Sequence, residues 1–334
     1  MSASDAFAAG KPRRRSSWQH FSLQNAGTLL ALLILLGTVL LWLFYFHRKV
    51  GTFPGRFELT SLVNTATPLA LAAIGQTLVV LTRGFDLSVG GVIDLSNSLA
   101  ASHMHSSLGS MIGWSIVVLL VGAAGGLVNG LLVAYARLQP ILVTLATLSI
   151  FQGLALRVLP QPGGSIPTGY TKALANPTAP WSFLYILAAV GGWLLFRRTS
   201  FGIGVIGLGN DEHAAQARGI AVRRVKVLVY VCAGMLGAAA GLFSAATDTA
   251  GDATSGDVFI LTSIAAVVLG GVSFLGGRGS AIGTLAGAFT LTILVNVLFF
   301  AGIDPLYQSF YQGLFLVVAV VLGILVGRLA RVSS

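Results

Sequence analysis

Apolar runs of about twenty residues recur along almost the whole chain, and no other feature constrains its fold as strongly. A helix needs about 20 such residues to cross roughly 30 Å of hydrocarbon. Ten runs are placed, at residues 28–46, 60–82, 89–107, 114–136, 141–159, 181–196, 226–247, 258–275, 281–301 and 307–327. The expected fold is therefore an all-α polytopic membrane protein with about ten transmembrane helices. Composition agrees, since 55% of the 334 residues are hydrophobic and only 9% charged, against roughly 25% charged in a soluble domain. So few charges cannot cover a water-facing surface.

The first run, from about Thr28 to Phe46, exceeds a signal-peptide core and has no obvious small-residue cleavage site soon after it, so it is expected to be retained as a span. Short loops rich in Lys and Arg stay on the cytoplasmic side. With the N-terminus inside, Lys11, Arg13, Arg14, Arg15, Arg83, Arg137, Arg197, Arg198, Arg218, Arg223, Arg224, Lys226, Arg278, Arg328 and Arg331 all fall inside. Only Arg48, Lys49, Arg56, Arg157 and Lys172 fall outside, so both termini are expected in the cytoplasm. The organisation that follows is a basic tail at 1–27, a transmembrane domain at 28–327 with a cytoplasmic loop at 197–226, and a tail at 328–334. The net charge of +10 sits in clusters at the ends of apolar runs, not in one patch, which argues against nucleic-acid binding. One cysteine, Cys232, allows neither an intrachain disulfide nor a cysteine metal cluster.

Glycines cluster within runs at Gly122, Gly125 and Gly126, at Gly234, Gly237 and Gly241, and at Gly283 and Gly287. Small residues three or four apart let membrane helices approach closely, and tight packing is the reading adopted for them. The loop from Pro160 to Pro180 is rich in Pro and Gly and is expected to be an ordered turn region or a docking surface. Ten spans would allow an inverted relation between the second to fifth and the seventh to tenth. No convincing sequence repeat supports it.

Three segments invite a functional reading. In the loop Arg197 to Lys226, Asn210 can cap a short helix with Asp211 and Glu212 in its first turn, Arg218 at its end and Gly219 as its left-handed stop. Its centre, Ala214, Ala215 and Ala217, is small enough for another protein's groove to approach the backbone, and a docking helix competes with an idle connector. In Arg83-Gly84-Phe85-Asp86-Leu87-Ser88-Val89-Gly90-Gly91 the glycines permit a sharp re-entry, Asp86 and Ser88 can bond the loop's own backbone, and Arg83 with Asp86 is read as a structural clasp. A proton-relay role for Asp86 would need further titrating groups in line. The glycines Gly270, Gly271, Gly276, Gly277 and Gly279 form a tight turn, and no Gly-x-x-x-x-Gly-Lys-Ser/Thr accompanies them, so nucleotide binding is not expected here.

Gln76, Asp94, Asn97, Asn129, Thr144, Thr147, Gln152 and Asn296 are polar at depths that require interior partners, and they are the candidates for a translocation route. His103 and His105 stand two apart and cannot share a helix face, so no metal site is expected. A membrane enzyme would need a nucleophile, base or metal constellation, and five scattered histidines with one cysteine offer none. A transporter run by an ion gradient is the alternative, but it should carry carboxylates in several spans, and Asp94 alone is clearly mid-span.

Gly84-Phe85-Asp86-Leu87-Ser88-Val89-Gly90, Asn129-Gly130, Gln139-Pro140-Ile141-Leu142-Val143-Thr144-Leu145, Phe201-Gly202, Gly209-Asn210, Ala214-Ala215, Arg218-Gly219-Ile220, Ile264 to Gly271 and Gly276-Gly277-Arg278-Gly279 occur in an order and spacing that resemble the ribose-type permeases of binding-protein-dependent ABC importers, over about residues 60–325. The resemblance implies a bacterial inner-membrane permease for a monosaccharide or similar small polar solute, paired with a second permease chain. It also implies two cytoplasmic ATPase subunits, which would hold the ATP and Mg, and a periplasmic solute-binding protein, with no cofactor or catalytic residue in this chain. It favours docking of the ATPase at 210–219. The family usually carries Glu-Leu-Asp where this chain has Ile260-Leu261-Thr262, and Gly-Ile-Asp-Leu-Ser and Phe-Gly-Arg where Phe85 and Ile203 stand here.

Overall fold

The computed structural model describes residues 17–179, 181–304, 306–308, 310–318 and 321. Lys11, Arg13, Arg14 and Arg15 of the N-terminal cluster, Arg328 and Arg331, and the tail 328–334 lie outside the described residues. Twelve helices are bounded within them: α1 (Ser17–Val50), α2 (Arg56–Leu81), α3 (Val89–His103), α4 (Leu108–Ala134), α5 (Pro140–Val158), α6 (Thr168–Leu174), α7 (Trp181–Phe196), α8 (Ser200–Asn210), α9 (Glu212–Ala217), α10 (Val222–Asp248), α11 (Asp257–Leu269) and α12 (Ala281–Phe300). Residues 306–308 and 310–318 are also helical, and the end of the tenth run, 322–327, is outside the described residues. The one departure from helix pairing is an isolated antiparallel bridge, among the described residues, between Gly163 and Gly251.

Among the described residues six helices are long and apolar enough to cross a membrane: α1 over Ala26–Val50, α2, α4, α5, α10 and α12. Leu33, Leu36, Leu40 and Phe44 of α1 are exposed, as are Leu120 of α4 and Leu142 and Ile150 of α5. In water this would be an apolar surface far larger than a monomer tolerates. Against lipid it is ordinary.

Several expectations are corrected by helix boundaries. The helix that begins at Ser17 takes in part of the stretch read as a tail. The loop 197–226 contains α8 and α9, and the Pro- and Gly-rich loop contains α6. The runs at 89–107 and 258–275 shrink to 15 and 13 helical residues, too short to span.

That shortness has a geometric cause. The α2 and α10 helices pack antiparallel, with Gly75 against Ala233 and Leu236, and Gly84 just beyond α2 against the Tyr230 hydroxyl. Gly237, midway along α10, faces Val89 and Val92 at the start of α3. Gly256, just before α11, is pressed on Gly90, so that a Cβ there would sit 2.1 Å from the Gly90 carbonyl oxygen. The N-termini of α3 and α11 thus meet beside the middle of α10, and each is a half-helix running away from that meeting point.

The glycine clusters behave as the packing reading requires. A Cβ on Gly122 would lie 2.4 Å from the Gly234 carbonyl oxygen, and one on Gly126 2.1 Å from that of Tyr230, which joins α4 to α10 backbone to backbone. Likewise Gly287 and Gly283 press on the carbonyls of Ala266 and Gly270, joining α12 to α11. Trp42 and Phe46 of α1 bury against Ile293 and Val297 of α12.

Gly126→Leu should overpack the α4–α10 contact and cost at least about 1–3 kcal/mol. In detergent-solubilised protein its thermal unfolding midpoint should fall by several degrees. Gly153→Leu, at an exposed glycine with no neighbour within 4 Å, should leave the midpoint unchanged. Equal midpoints for the two variants would refute the packing account.

Candidate coupling face and polar interior

Residues 199–226 fold as a compact surface unit. Thr199 caps α8 by accepting the Gly202 N–H, and the next turn closes where Asp211 accepts the Ala214 N–H at 3.0 Å. The cap of α9 is therefore Asp211 and not Asn210, which ends α8 and donates its amide to the Ile206 carbonyl at 2.9 Å. Asp211 wins because its side chain reaches the third N–H after it from an extended backbone, whereas Asn210 is still helical. The Ala214 N–H holds the Asp211 carboxyl below its ordinary range, so this cap persists until strongly acid pH. Arg218 closes α9 and Gly219, at φ 83°, stops it as expected. A salt bridge of 2.9 Å from Lys226 to Glu212 ties α9 to α10.

One expectation about α9 is overturned. Ala215 is only 3% exposed and packs inward, while Glu212, His213, Ala214, Gln216 and Ala217 are exposed. A partner approaching α9 meets those five.

The expected Arg83–Asp86 clasp is replaced by two separate devices. Arg83 sits at φ 64° and sends Nε to the Gly209 carbonyl at 2.9 Å and Nη2 to that of Asn210 at 2.7 Å. A cation on the last carbonyls of α8 suits the negative end of that helix. Beside it the Gly277 N–H donates to Leu81 at 3.0 Å, in a turn where Gly276 and Gly277 hold φ of 77° and 68° that a side chain would strain. The ends of α2 and α8 and the turn after α11 are thereby joined. Asp86 is instead buried and accepts from the Ser88 N–H and hydroxyl. Asn129 donates to the Ser88 hydroxyl at 2.8 Å and accepts from Thr147 at 2.8 Å, so the 84–88 loop is bolted to α4 and α5. Thr144 bonds the Pro140 carbonyl and lies 3.5 Å from that of Phe85.

The other polar candidates divide. Asn296 donates within its own helix, to Thr292 at 3.1 Å. Gln152 donates to Asp257 at 2.6 Å. Gln76 is 1% exposed with neither amide atom partnered among the described residues. Asp94 and Asn97 are likewise buried and take backbone N–H groups from Gly256 and Asp252. Thr262 of the altered triplet bonds within α11. His103 stacks near Trp114 at 4.5 Å, and among the described residues no group of three or more His, Cys, Asp or Glu could hold a metal ion.

Sequence reasoning missed a cleft of about 900 Å³ beside α9, lined by Arg83, Arg137, Arg223, Arg224, Lys226 and Tyr230 among others. Its only signal was the density of basic residues around 218–226 and at Arg137.

The family described as branched-chain amino acid transport system / permease component matches residues 59–320. The chain is 33% identical to the ribose import permease protein of Escherichia coli over 282 residues, which cover 80% of this chain and 86% of that one. It is 34% identical to the ribose import permease protein of Bacillus subtilis over 302 residues, 82% and 92% of the two chains. It is 29% identical to the galactose/methyl galactoside import permease protein of Haemophilus influenzae over 311 residues, 86% and 90% of the two. No solved structure matches the chain significantly.

Arg83→Ala should loosen the α8 terminus by about 1 kcal/mol or more, the net value of hydrogen bonds of this kind. Amide hydrogen exchange over residues 207–220 should rise roughly five-fold while that of α12 stays constant. Unchanged exchange at 207–220 would mean that Arg83 does not anchor α8.

Proposed function

We infer that this chain, which belongs to the branched-chain amino acid transport system / permease component family, is the transmembrane permease subunit of an ABC importer that carries a monosaccharide or similar small polar solute across the bacterial inner membrane. The observation that carries this is the identity to the ribose import permease over 86% of that protein's length. A separate cytoplasmic ATPase pair holds ATP and Mg and does the hydrolysis. A periplasmic binding protein delivers the solute, and a second permease chain, a copy or a sister, completes the route.

The finer topology is ten membrane segments with both termini cytoplasmic. Six are the full-length spans, α3 and α11 count as half-helices completed by the loops that re-enter before them, and α7 and the helical residues 306–308 and 310–318 supply the other two. The lysine and arginine distribution supports this orientation, because α9 and the basic cleft then lie on one cytoplasmic face with Arg197, Arg198 and Arg278.

Docking of the ATPase falls on α9, within 210–219. Closure of the ATPase pair would move α9 and transmit that movement by two hard links. One is the Lys226–Glu212 ion pair into α10, and the other is Arg83 from the end of α8 into α2. Because α2 and α10 flank the meeting point of α3 and α11, moving them reshapes the interior of the bundle, which is alternating access between two packed arrangements.

In cells carrying the whole locus, Ala217→Glu should place a charge on the exposed face of α9 and reduce uptake of labelled ribose or galactose at least ten-fold, with unchanged insertion and amount of protein. Collapse of the proton gradient with ATP maintained should leave wild-type uptake intact. Uptake that survives Ala217→Glu and stops with the gradient would instead mark a secondary transporter.

A further inference from the structure

The face of α3 that carries Gly90, Asp94, Asn97 and Ala101 is a single stripe at helical spacing, and it is covered by the segment 251–257. Gly251 packs on Ala101, Asp252 donates its backbone N–H to the Asn97 side-chain oxygen at 2.8 Å, and Gly256 donates to Asp94 before pressing on Gly90. The cover is a self-contained turn: Asp252 accepts from the N–H and hydroxyl of Thr254, and the Asp257 N–H returns to the Thr254 carbonyl. It is also tied to Gly163 by two backbone hydrogen bonds at Gly251, of 2.9 and 2.8 Å, and by Ala253 buried against Leu95 and Ala155, so lifting it means giving up those contacts too. Between it and α3 no side chain interdigitates at Gly251 or Gly256, where a Cβ would collide with α3.

Beneath this cover the polar groups are only half used. Asp94 is 0% exposed and Asn97 1%, yet Asp94 Oδ2 and Asn97 Nδ2 have no hydrogen-bond partner among the described residues, and neither has Ser255 Oγ on the cover itself. Buried polar atoms without partners are costly and few in natural proteins, and each requires a reason. At the rim, Gln152 of α5 donates to Asp257, and both neighbour Asp94.

We propose that Asp94 and Asn97, completed at the rim by Gln152, form a hydroxyl-binding site for a polyhydroxylated solute on the translocation route. In this arrangement the backbone N–H groups of the 251–257 cover stand in for that solute. A carboxylate accepts from two sugar hydroxyls, and a carboxamide both donates and accepts, which matches a hydroxyl that does the same. The two N–H bonds from Asp252 and Gly256 would be exchanged for hydroxyl bonds when the cover lifts, and the free Oδ2 and Nδ2 atoms would gain the partners they lack. The place suits the task, since discontinuous helices meeting near mid-membrane are where transporters expose irregular backbone to a solute. The assignment rests on the importer reading above.

The test uses the complete importer, with its ATPase and binding protein, in membrane vesicles, and the single native cysteine makes it clean. In a Cys232→Ser background, Ser255→Cys should resist a membrane-impermeant maleimide at rest. It should label at least five-fold faster when a trapped nucleotide state opens the route outward, and it should be protected by ribose or galactose. Asp94→Asn, which keeps an acceptor for Gly256, should raise the KM for uptake at least ten-fold with little change in kcat. Labelling indifferent to nucleotide, or protection by neither ribose, galactose nor glycerol together with an unchanged KM in Asp94→Asn, overturns the site. A loss of ATP dependence in wild-type uptake would strike the importer reading itself, and so the two failures are told apart.

Discussion

Hydrocarbon offers no hydrogen bonds, and from that single constraint most of this molecule follows. Backbone groups must pair within helices, and polar side chains must find partners inside the bundle or line a wetted space. The chain meets the demand by segregation. Its exposed helices carry leucine and phenylalanine, and the buried α2 and α3 carry Gln76, Asp94, Ser96, Asn97 and Ser98. Helices that share the same apolar solvent gain little from burying leucine against leucine, so the contacts that hold α4 to α10 and α11 to α12 are made by glycine against carbonyl. Close backbone approach is what positions α10 as the rail on which the two half-helices are registered.

Where the chain leaves the bilayer the same accounting applies to helix ends. The last carbonyls of α8 are met by Arg83, and the Leu81 carbonyl near the end of α2 by the Gly277 N–H, so two helix ends and one glycine turn satisfy each other. Such a knot is stiff. Force applied at α9 is passed on by short polar contacts and not absorbed by a loop, which is the property a coupling surface needs.

Much of this was legible in the sequence because membrane burial writes long, simple patterns. The α1, α2, α4, α5, α10 and α12 helices lie on the apolar runs, and the glycine clusters pair as their spacing implied. What escaped was decided by distant contacts. Asn210 and Asp211 are both good caps, and only the backbone of α8 running through Asn210 settles that Asp211 takes the role. Arg83 has Asp86 three residues away, yet the carbonyls of Gly209 and Asn210, 126 and 127 residues on, are better placed. Ala215 is indistinguishable from Ala214 and Ala217 by type, and only the fold shows that it is the one of the three that is buried. The α8 helix was hidden by its four glycines, Gly202, Gly204, Gly207 and Gly209, which read as loop and in fact allow the helix to lie against Phe196, Ile220 and the Leu81 carbonyl.

The half-helices also explain why an internal repeat is visible in the fold and not in the residues. A 26-residue α2 leads through a short loop to a 15-residue α3, and a 27-residue α10 leads through another to a 13-residue α11. Because α2 and α10 are antiparallel, the two units are related by inversion, a common transporter plan. Backbone direction is conserved by such a relation, but the chemistry of the two loops need not be. One loop, 82–88, carries Arg83 and is bolted to α4 and α5 on the side of α9. The other, 249–256, is held to α3 by two side-chain acceptors and close glycine contacts, to Gly163 by two backbone hydrogen bonds, and by Ala253 buried against Leu95 and Ala155. One architecture used twice thus yields one loop bonded by side chains to two helices and one held mainly through backbone groups, and the alternating access proposed above would draw on that asymmetry.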